Sequence, residues 1–269
     1  MVRKANKEIH VHVSSDAYRI FEELTSKNSN KKGQIIENML FNEKVYGHSI
    51  TRLDHKDINY SLRRTTTGIL GLDKALEGGM PSYFLVVVDG ETGTGKTIFG
   101  LQFLMNTNEK SMLFTFEEDA AQIARHAFQF GYYIADAVKN GRLYLYNIKT
   151  ICVEEILERI IEIRPKRIVI DSVAALYNEI DRQSGWYHLV TELKKENIAC
   201  IMITRSCSNG KTSIFENRAD GVLCFGKELD NGRWKRHILI KKMRATPLEI
   251  VKLPFKIIDK GIVIDESKP

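Results

Sequence analysis

The period of the apolar positions changes along this chain, and each change marks an element. Between Glu8 and Val13, polar Glu8, His10 and His12 alternate with apolar Ile9, Val11 and Val13, the two-residue period of a half-buried strand. Ser14 or Ser15 can then cap a helix carrying Tyr18, Ile20, Phe21 and Leu24. A polar turn at 27–30 leads to a second helix whose apolar set is Ile35, Ile36, Met39, Leu40 and Phe41. One strand and two short helices within residues 1–47 are too little for a self-sufficient core. This unit therefore needs a partner, either a second copy or the rest of the chain. Residues 48–65 carry no clean period and read as a linker.

From Thr66 onward, short apolar runs alternate with amphipathic ones, as in a parallel sheet covered on both faces. Tyr83–Asp89, Ser111–Phe116, Leu143–Ile148, Arg167–Asp171 and Ile198–Thr204 read as strands. A helix ending at Met105 and those at Ala120–Gly131, Val153–Ile163 and Trp186–Glu196 lie between them. The pattern then changes. Gly221–Lys227 and Trp234–Lys242 flank Asp230-Asn231-Gly232, a hairpin signal, and Val251–Ile258 and Ile262–Ile264 flank Asp259-Lys260-Gly261. The expected fold class is α/β, a mainly parallel sheet ending in antiparallel hairpins over 66–269, behind a small βαα module. No internal repeat is present, so residues 66–269 form one core.

Composition narrows the setting. Of 269 residues, 43% are hydrophobic and 28% charged, enough for a sizeable core without a metal or disulfide staple. No apolar run approaches the roughly 18 residues that span a bilayer, and the chain starts polar and charged, so a cytoplasmic protein without a membrane partner is expected. Cys152, Cys200, Cys207 and Cys224 lie far apart and form no C-x-x-C pair, and read as reduced core residues. A net charge of +6 leans toward anionic partners.

The sharpest chemical signal is Gly90-Glu91-Thr92-Gly93-Thr94-Gly95-Lys96-Thr97, which fits G-x-x-x-x-G-K-[ST] between an apolar strand and a helix. Glycines let backbone N–H groups curl round phosphate oxygens, and the helix start adds positive potential. Lys96 reaches β- and γ-phosphates, and the Thr97 hydroxyl suits Mg²⁺, so ATP and Mg²⁺ are the expected ligands. Asp171 closes a neighbouring strand, where an acid can hold Mg²⁺ through water or cap the next helix. Glu117 and Glu118 follow another strand, where a carboxylate can deprotonate an attacking water or simply begin a solvated helix. The run Lys241-Lys242-Met243-Arg244 reads either as a charge-protected edge strand or as cations for a neighbour's γ-phosphate. The loop 206–215 carries one Lys and reads as plain surface.

These residues together resemble the KaiC-like branch of the RecA/RadA ATPases. The resemblance runs through Thr67-Gly68-Ile69, Gly71-Leu72-Asp73, Gly78-Gly79, the glycine loop, Phe114–Glu118, Ile168–Ser172 and Lys242–Thr246. It implies a RecA-type sheet and a homo-oligomeric ring or filament, a hexamer if a ring, with ATP held between subunits. It also implies Glu117 and Glu118 as catalytic acids and Lys242 and Arg244 as cations acting in trans. Ala245 stands where the family usually has glycine, and Leu248 where it has histidine. Glu216 and Asn217 occupy the positions that KaiC phosphorylates in its second domain, so self-phosphorylation is not expected. The N-terminal unit resembles a ribbon-helix-helix domain, which implies either an oligomerisation module or double-stranded DNA binding. In the latter, His10 and His12 would enter the groove, and Asn30, Lys31 and Lys32 would hold phosphate. A signalling or regulatory ATPase is the leading expectation. A recombination accessory that binds single-stranded DNA, and a transcriptional regulator using ATP to assemble, are the alternatives.

Overall fold

The long apolar runs become the inner strands of one nine-stranded sheet in a computed structural model that describes residues 62–148, 153–173, 183–205, 214–247 and 250–265. The N-terminal module with His10, His12, Asn30, Lys31 and Lys32, and most of the linker, lie outside the described residues. In chain order the elements begin β1 (Arg64–Thr65), α1 (Leu70–Ala75), β2 (Met80–Pro81), β3 (Leu85–Gly90), α2 (Lys96–Met105) and β4 (Ser111–Thr115). They continue α3 (Ala120–Phe128), α4 (Ile134–Lys139), β5 (Leu143–Asn147), α5 (Val153–Ile163), β6 (Arg167–Asp171), α6 (Gln183–Lys195) and β7 (Ala199–Ile203). The last are α7 (Ile214–Arg218), β8 (Gly221–Asp230), β9 (Arg233–Met243), β10 (Lys252–Ile258) and β11 (Gly261–Ile264).

The sheet order is β11-β10-β9-β8-β3-β7-β6-β4-β5. The six strands from β8 to β5 are parallel, and β9, β10 and β11 are antiparallel. The chain thus has the α/β fold of a RecA-type core, with its antiparallel strands at the C-terminal end. Alternation along each inner strand feeds two cores. Val86, Val88, Val169, Ile201 and Ile203 face α2, where Phe99, Phe103 and Leu104 pack on them. Leu85, Val87, Ile168, Ile170 and Met202 face the other way, against Ile156, Ile160 and Ile163 of α5 and Leu189 and Leu193 of α6. The α5 set follows the helical period, so its burial is what that pattern requires.

The two hairpins close as the sequence suggests. Asn231 and Gly232 both take positive φ (51° and 76°), the conformation of a type I′ turn, with Asp230 opposite Arg233. Ile258 lies opposite Gly261, leaving Asp259 and Lys260 as the second turn. On α2, Gln102 ties the second hairpin to the core. Its amide donates to Gly68 O and Ile262 O, and its carbonyl accepts from Ile262 N. The end of the segment expected as linker, Arg64–Thr65, forms β1 against β2. Arg64 donates there to Leu76 O, Gly79 O and Thr246 Oγ1, so the domain's hydrogen bonding begins ahead of Thr66. Cys200 is fully buried, which pushes its thiol up to about 12, and Cys224 is half-buried and pushed up to about 11. Cys152 and Cys207 lie outside the described residues.

Candidate functional site

β3 ends where its backbone meets β8. Gly90 lies opposite Phe225, and a Cβ at residue 90 would stand 2.2 Å from the Phe225 carbonyl oxygen. Only glycine fits, and its φ of 152° starts the turn out of the sheet. The loop Gly90–Thr97 then curls back on itself and enters α2 at Lys96, with the Thr94 hydroxyl donating to Glu91 O at 2.8 Å. Glu91, Thr92 and Gly93 form its exposed outer side, while Thr94 and Lys96 are buried. The Lys96 ammonium fills the curl, donating to Gly90 O at 2.5 Å and Glu91 O at 2.8 Å. Burial lowers its pKa and Arg205 acts the same way, against Asp171, Asp89 and Glu117.

Thr97 sits one residue into α2, and its hydroxyl donates to Asp171 Oδ2 at 2.7 Å. Asp171 closes β6, and β7 lies between β6 and β3, so the start of α2 crosses over β7 to make this contact. Burial pushes the Asp171 carboxyl above its ordinary value. Glu117 and Glu118 push it further, while Thr97 and Lys96 oppose. The acidic run after β4 divides by task. Asp119 caps α3, accepting from Gln122 N at 2.7 Å while Gln122 accepts from Asp119 N at 3.0 Å. Glu117 and Glu118 instead line one cleft with Thr97, Thr115 and Asp171. Glu117 pairs with Arg205, and Glu118 with His126 Nδ1 at 3.1 Å. The Glu118 carbonyl accepts from Thr115 Oγ1 and Asn147 Nδ2, which fixes its backbone at the sheet edge.

This donor set fits Mg²⁺. A hydroxyl and a carboxylate 2.7 Å apart offer hard oxygens, and Mg²⁺ is commonly held by one or two such groups, with waters and phosphate completing its shell. No cluster of three His, Cys, Asp or Glu able to cage a metal occurs among the described residues.

Lys242 and Arg244 stand elsewhere. Lys242 pairs with Val222, which is level with Val87, so the end of β9 lies three residues, about 10 Å, back along the sheet from Gly90. The Lys242 ammonium donates to Ala219 O at 2.6 Å, with Glu216 O and Asn217 O at 3.5 Å, at the C-terminal end of α7. Arg244 donates to Asp220 Oδ1 at 3.2 Å. Glu216 is buried and accepts from Lys241 at 2.6 Å. The loop 206–213 lies outside the described residues.

Two features at the site are not apparent from motif spacing. Arg205 and His126 hold the two acids. Arg205 had a signal, since it follows a strand at the C-terminal edge where ligands of open α/β sheets collect. The β8–β9 hairpin also flanks the loop, with Lys227 3.4 Å from Glu91 and Arg236 Nε 3.4 Å from Gly93 O.

A glycine loop between β3 and α2, with Thr97 and Asp171 in contact on a sheet of this order, defines a P-loop protein with a RecA-type core. The chain matches the ATPase family of KaiC over residues 65–269, and it belongs to that family. It is 30% identical to a UPF0273 protein of Thermotoga maritima, over 77% of this chain and 98% of that one. It is 28% identical to the circadian clock oscillator protein KaiC of Synechococcus elongatus, over 80% of this chain but 46% of that longer protein. Among solved structures, a KaiC-like protein of Pyrococcus horikoshii matches with a TM-score of 0.68 and 30% identity, covering 76% of this chain and all of that one.

Proposed function

We propose that this chain hydrolyses ATP to ADP and phosphate with Mg²⁺, and that copies assemble so that Lys242 and Arg244 of one serve ATP held by the next. The observation that carries the reading is the 2.7 Å contact between Thr97 and Asp171 in a cleft walled by Glu117 and Glu118. It gathers groups for metal binding and for water activation beside the phosphate loop.

The roles follow from the charges. Lys96 exchanges two neutral carbonyl acceptors for β- and γ-phosphate oxygens, a gain because charge-assisted bonds are the stronger ones. Bound Mg²⁺ offsets the charge that develops on the phosphate oxygens. Asp171 and Thr97 would hold it, and its charge would offset the burial that disfavours the Asp171 carboxylate. Glu117 or Glu118 takes the proton of the attacking water. The position of Lys242 and Arg244, back along the sheet from Gly90, supports a task directed at another copy.

In the same reading, turnover drives a signalling or regulatory change, with residues 1–47 tethering the assembly to duplex DNA. The alternating strand pattern and the net charge of +6 support that tether. A gel shift with duplex DNA should show salt-sensitive binding, and salt-insensitive or absent binding would remove it.

Calorimetric titration of ATP with and without Mg²⁺ tests the site. Mg²⁺ should tighten ATP binding by about tenfold or more in the unaltered chain and far less in Thr97→Ala and Asp171→Asn. Equal affinity with and without Mg²⁺ in the unaltered chain would contradict the assignment.

A further inference from the structure

Arg205, which pairs with Glu117 of the cleft, is a cation that no motif claims. The residue before it is fixed twice to the loop strand: Thr204 N donates to Val88 O at 2.9 Å, and its hydroxyl donates to Asp89 Oδ1 at 2.7 Å. This places Arg205 at the C-terminal edge of the sheet, next to β3 on one side and β6 on the other. Its guanidinium nevertheless pairs with Glu117, which follows β4, one strand beyond β6. β7 and β4 are two strand spacings apart, about 10 Å, so the pair bridges above Asp171. The charges that act on Arg205 are Glu117, its ion-pair partner, and Lys96, while Asp171 acts on Glu117 and Lys96.

In this pair a Glu117 carboxylate oxygen is turned to the guanidinium rather than to the space above Thr97 and Asp171. A terminal phosphate placed above Thr97 and Asp171 would enter the space the ion pair spans. It carries more negative charge than a carboxylate and offers three oxygens to the fork of an arginine. We infer that Arg205 is a phosphate-sensing switch: it holds Glu117 until ATP arrives, then transfers to the terminal phosphate and frees Glu117 to accept a proton from water. No bond is made or broken in this exchange; one ion pair replaces another. The inference rests on the ATP-site reading above and adds to it the residue that tells ATP from ADP, since only ATP supplies the competing phosphate.

Equilibrium binding separates the two claims because it needs no turnover. Affinities of the full chain for MgATP and MgADP are measured for the unaltered protein, Arg205→Ala and Arg205→Lys, with thermal melts to show that each is folded. In Arg205→Ala, ATP affinity should fall about 10–100-fold while ADP affinity holds, and Arg205→Lys should recover part of the loss. Glu117→Gln, which removes the competing partner, should tighten ATP binding and leave ADP unchanged. Equal losses for ATP and ADP in Arg205→Ala, or no loss for either, would overturn the switch while leaving the nucleotide site standing. An unaltered chain that binds neither nucleotide would overturn both. If Arg205→Ala alone fails to fold, the ATP-to-ADP ratios of Arg205→Lys and Glu117→Gln decide the matter, and an unchanged ratio in both rejects the switch.

Discussion

Asp171 shows how a candidate site residue can oppose stability while suiting the role proposed for it. Burial first, and then Glu117 and Glu118, raise its folded pKa above the value it has in an unfolded chain. The sign follows from proton linkage. The stabilising contribution of its protonated form is fully present below the ordinary carboxylate range and is lost as pH rises through the raised folded value. At neutral pH the buried charge therefore weighs against the fold. Asp171→Asn keeps an oxygen for the Thr97 hydroxyl and removes that charge. In melts without nucleotide it should exceed the unaltered chain in Tm by a few degrees, roughly, at pH 8. That margin should shrink as pH falls toward about 4. A lower Tm at pH 8, or a margin that grows toward acid, would show that the carboxylate is stabilised where it stands.

At the scale of elements, Gly90 and Gly232 are both glycines at positive φ, but their surroundings differ. A methyl at Gly90 would collide with backbone of β8, whereas nothing stands within 4 Å of one at Gly232. Gly232→Ala should cost about 1–2 kcal/mol, the strain of a left-handed residue. Gly90→Ala must also part β3 from β8 in the middle of the sheet and should cost several times more, read as the difference in denaturation midpoints. Similar losses would mean that β8 shifts freely. The strands were readable because β3, β4, β6 and β7 are buried on both faces and leave continuous apolar runs, and α5 because its buried isoleucines keep the helical period. The short helices α1, α4 and α7 were not, since five or six residues hold too few turns to show a period. The first hairpin outran its apolar signal for a different reason. Lys227–Asp230 pair with Arg233–Arg236 through backbone, which a polar side chain does not prevent. At the candidate site, the glycine loop, Asp171 and the acid pair stand out in the sequence because the chemistry proposed for them requires particular residues in a particular order. His126 does not, and Arg205 shows only its place after a strand, because their partners lie 8 and 88 residues away and only the fold unites them.

On the scale of the whole molecule, the sheet has two ends with different equipment. The phosphate loop, Asp171, Glu117 and Glu118 gather at one, while Lys242 and Arg244 sit back along β9 on intrachain partners. A shared site makes a prediction about mixtures. Glu117→Gln/Glu118→Gln and Lys242→Ala/Arg244→Ala should each be nearly inactive alone. Combined in equal amounts, they should recover about a quarter of the normal rate, the chance that a sound loop meets a sound pair of cations across a repeated interface. Mixtures no more active than their components would confine Lys242 and Arg244 to holding α7 and Asp220. The central claim is simpler and comes first: Gly90–Thr97, Asp171 and the two acids form a hydrolytic site. Phosphate release from MgATP by the unaltered chain and by Glu117→Gln/Glu118→Gln, with ATP affinity measured alongside, tests it most directly. The expected result is an acid-pair variant that still binds ATP and releases phosphate about 10²–10⁴-fold more slowly. An unaltered rate in that variant, or no phosphate release by the unaltered chain under conditions where it binds MgATP and assembles, would contradict it.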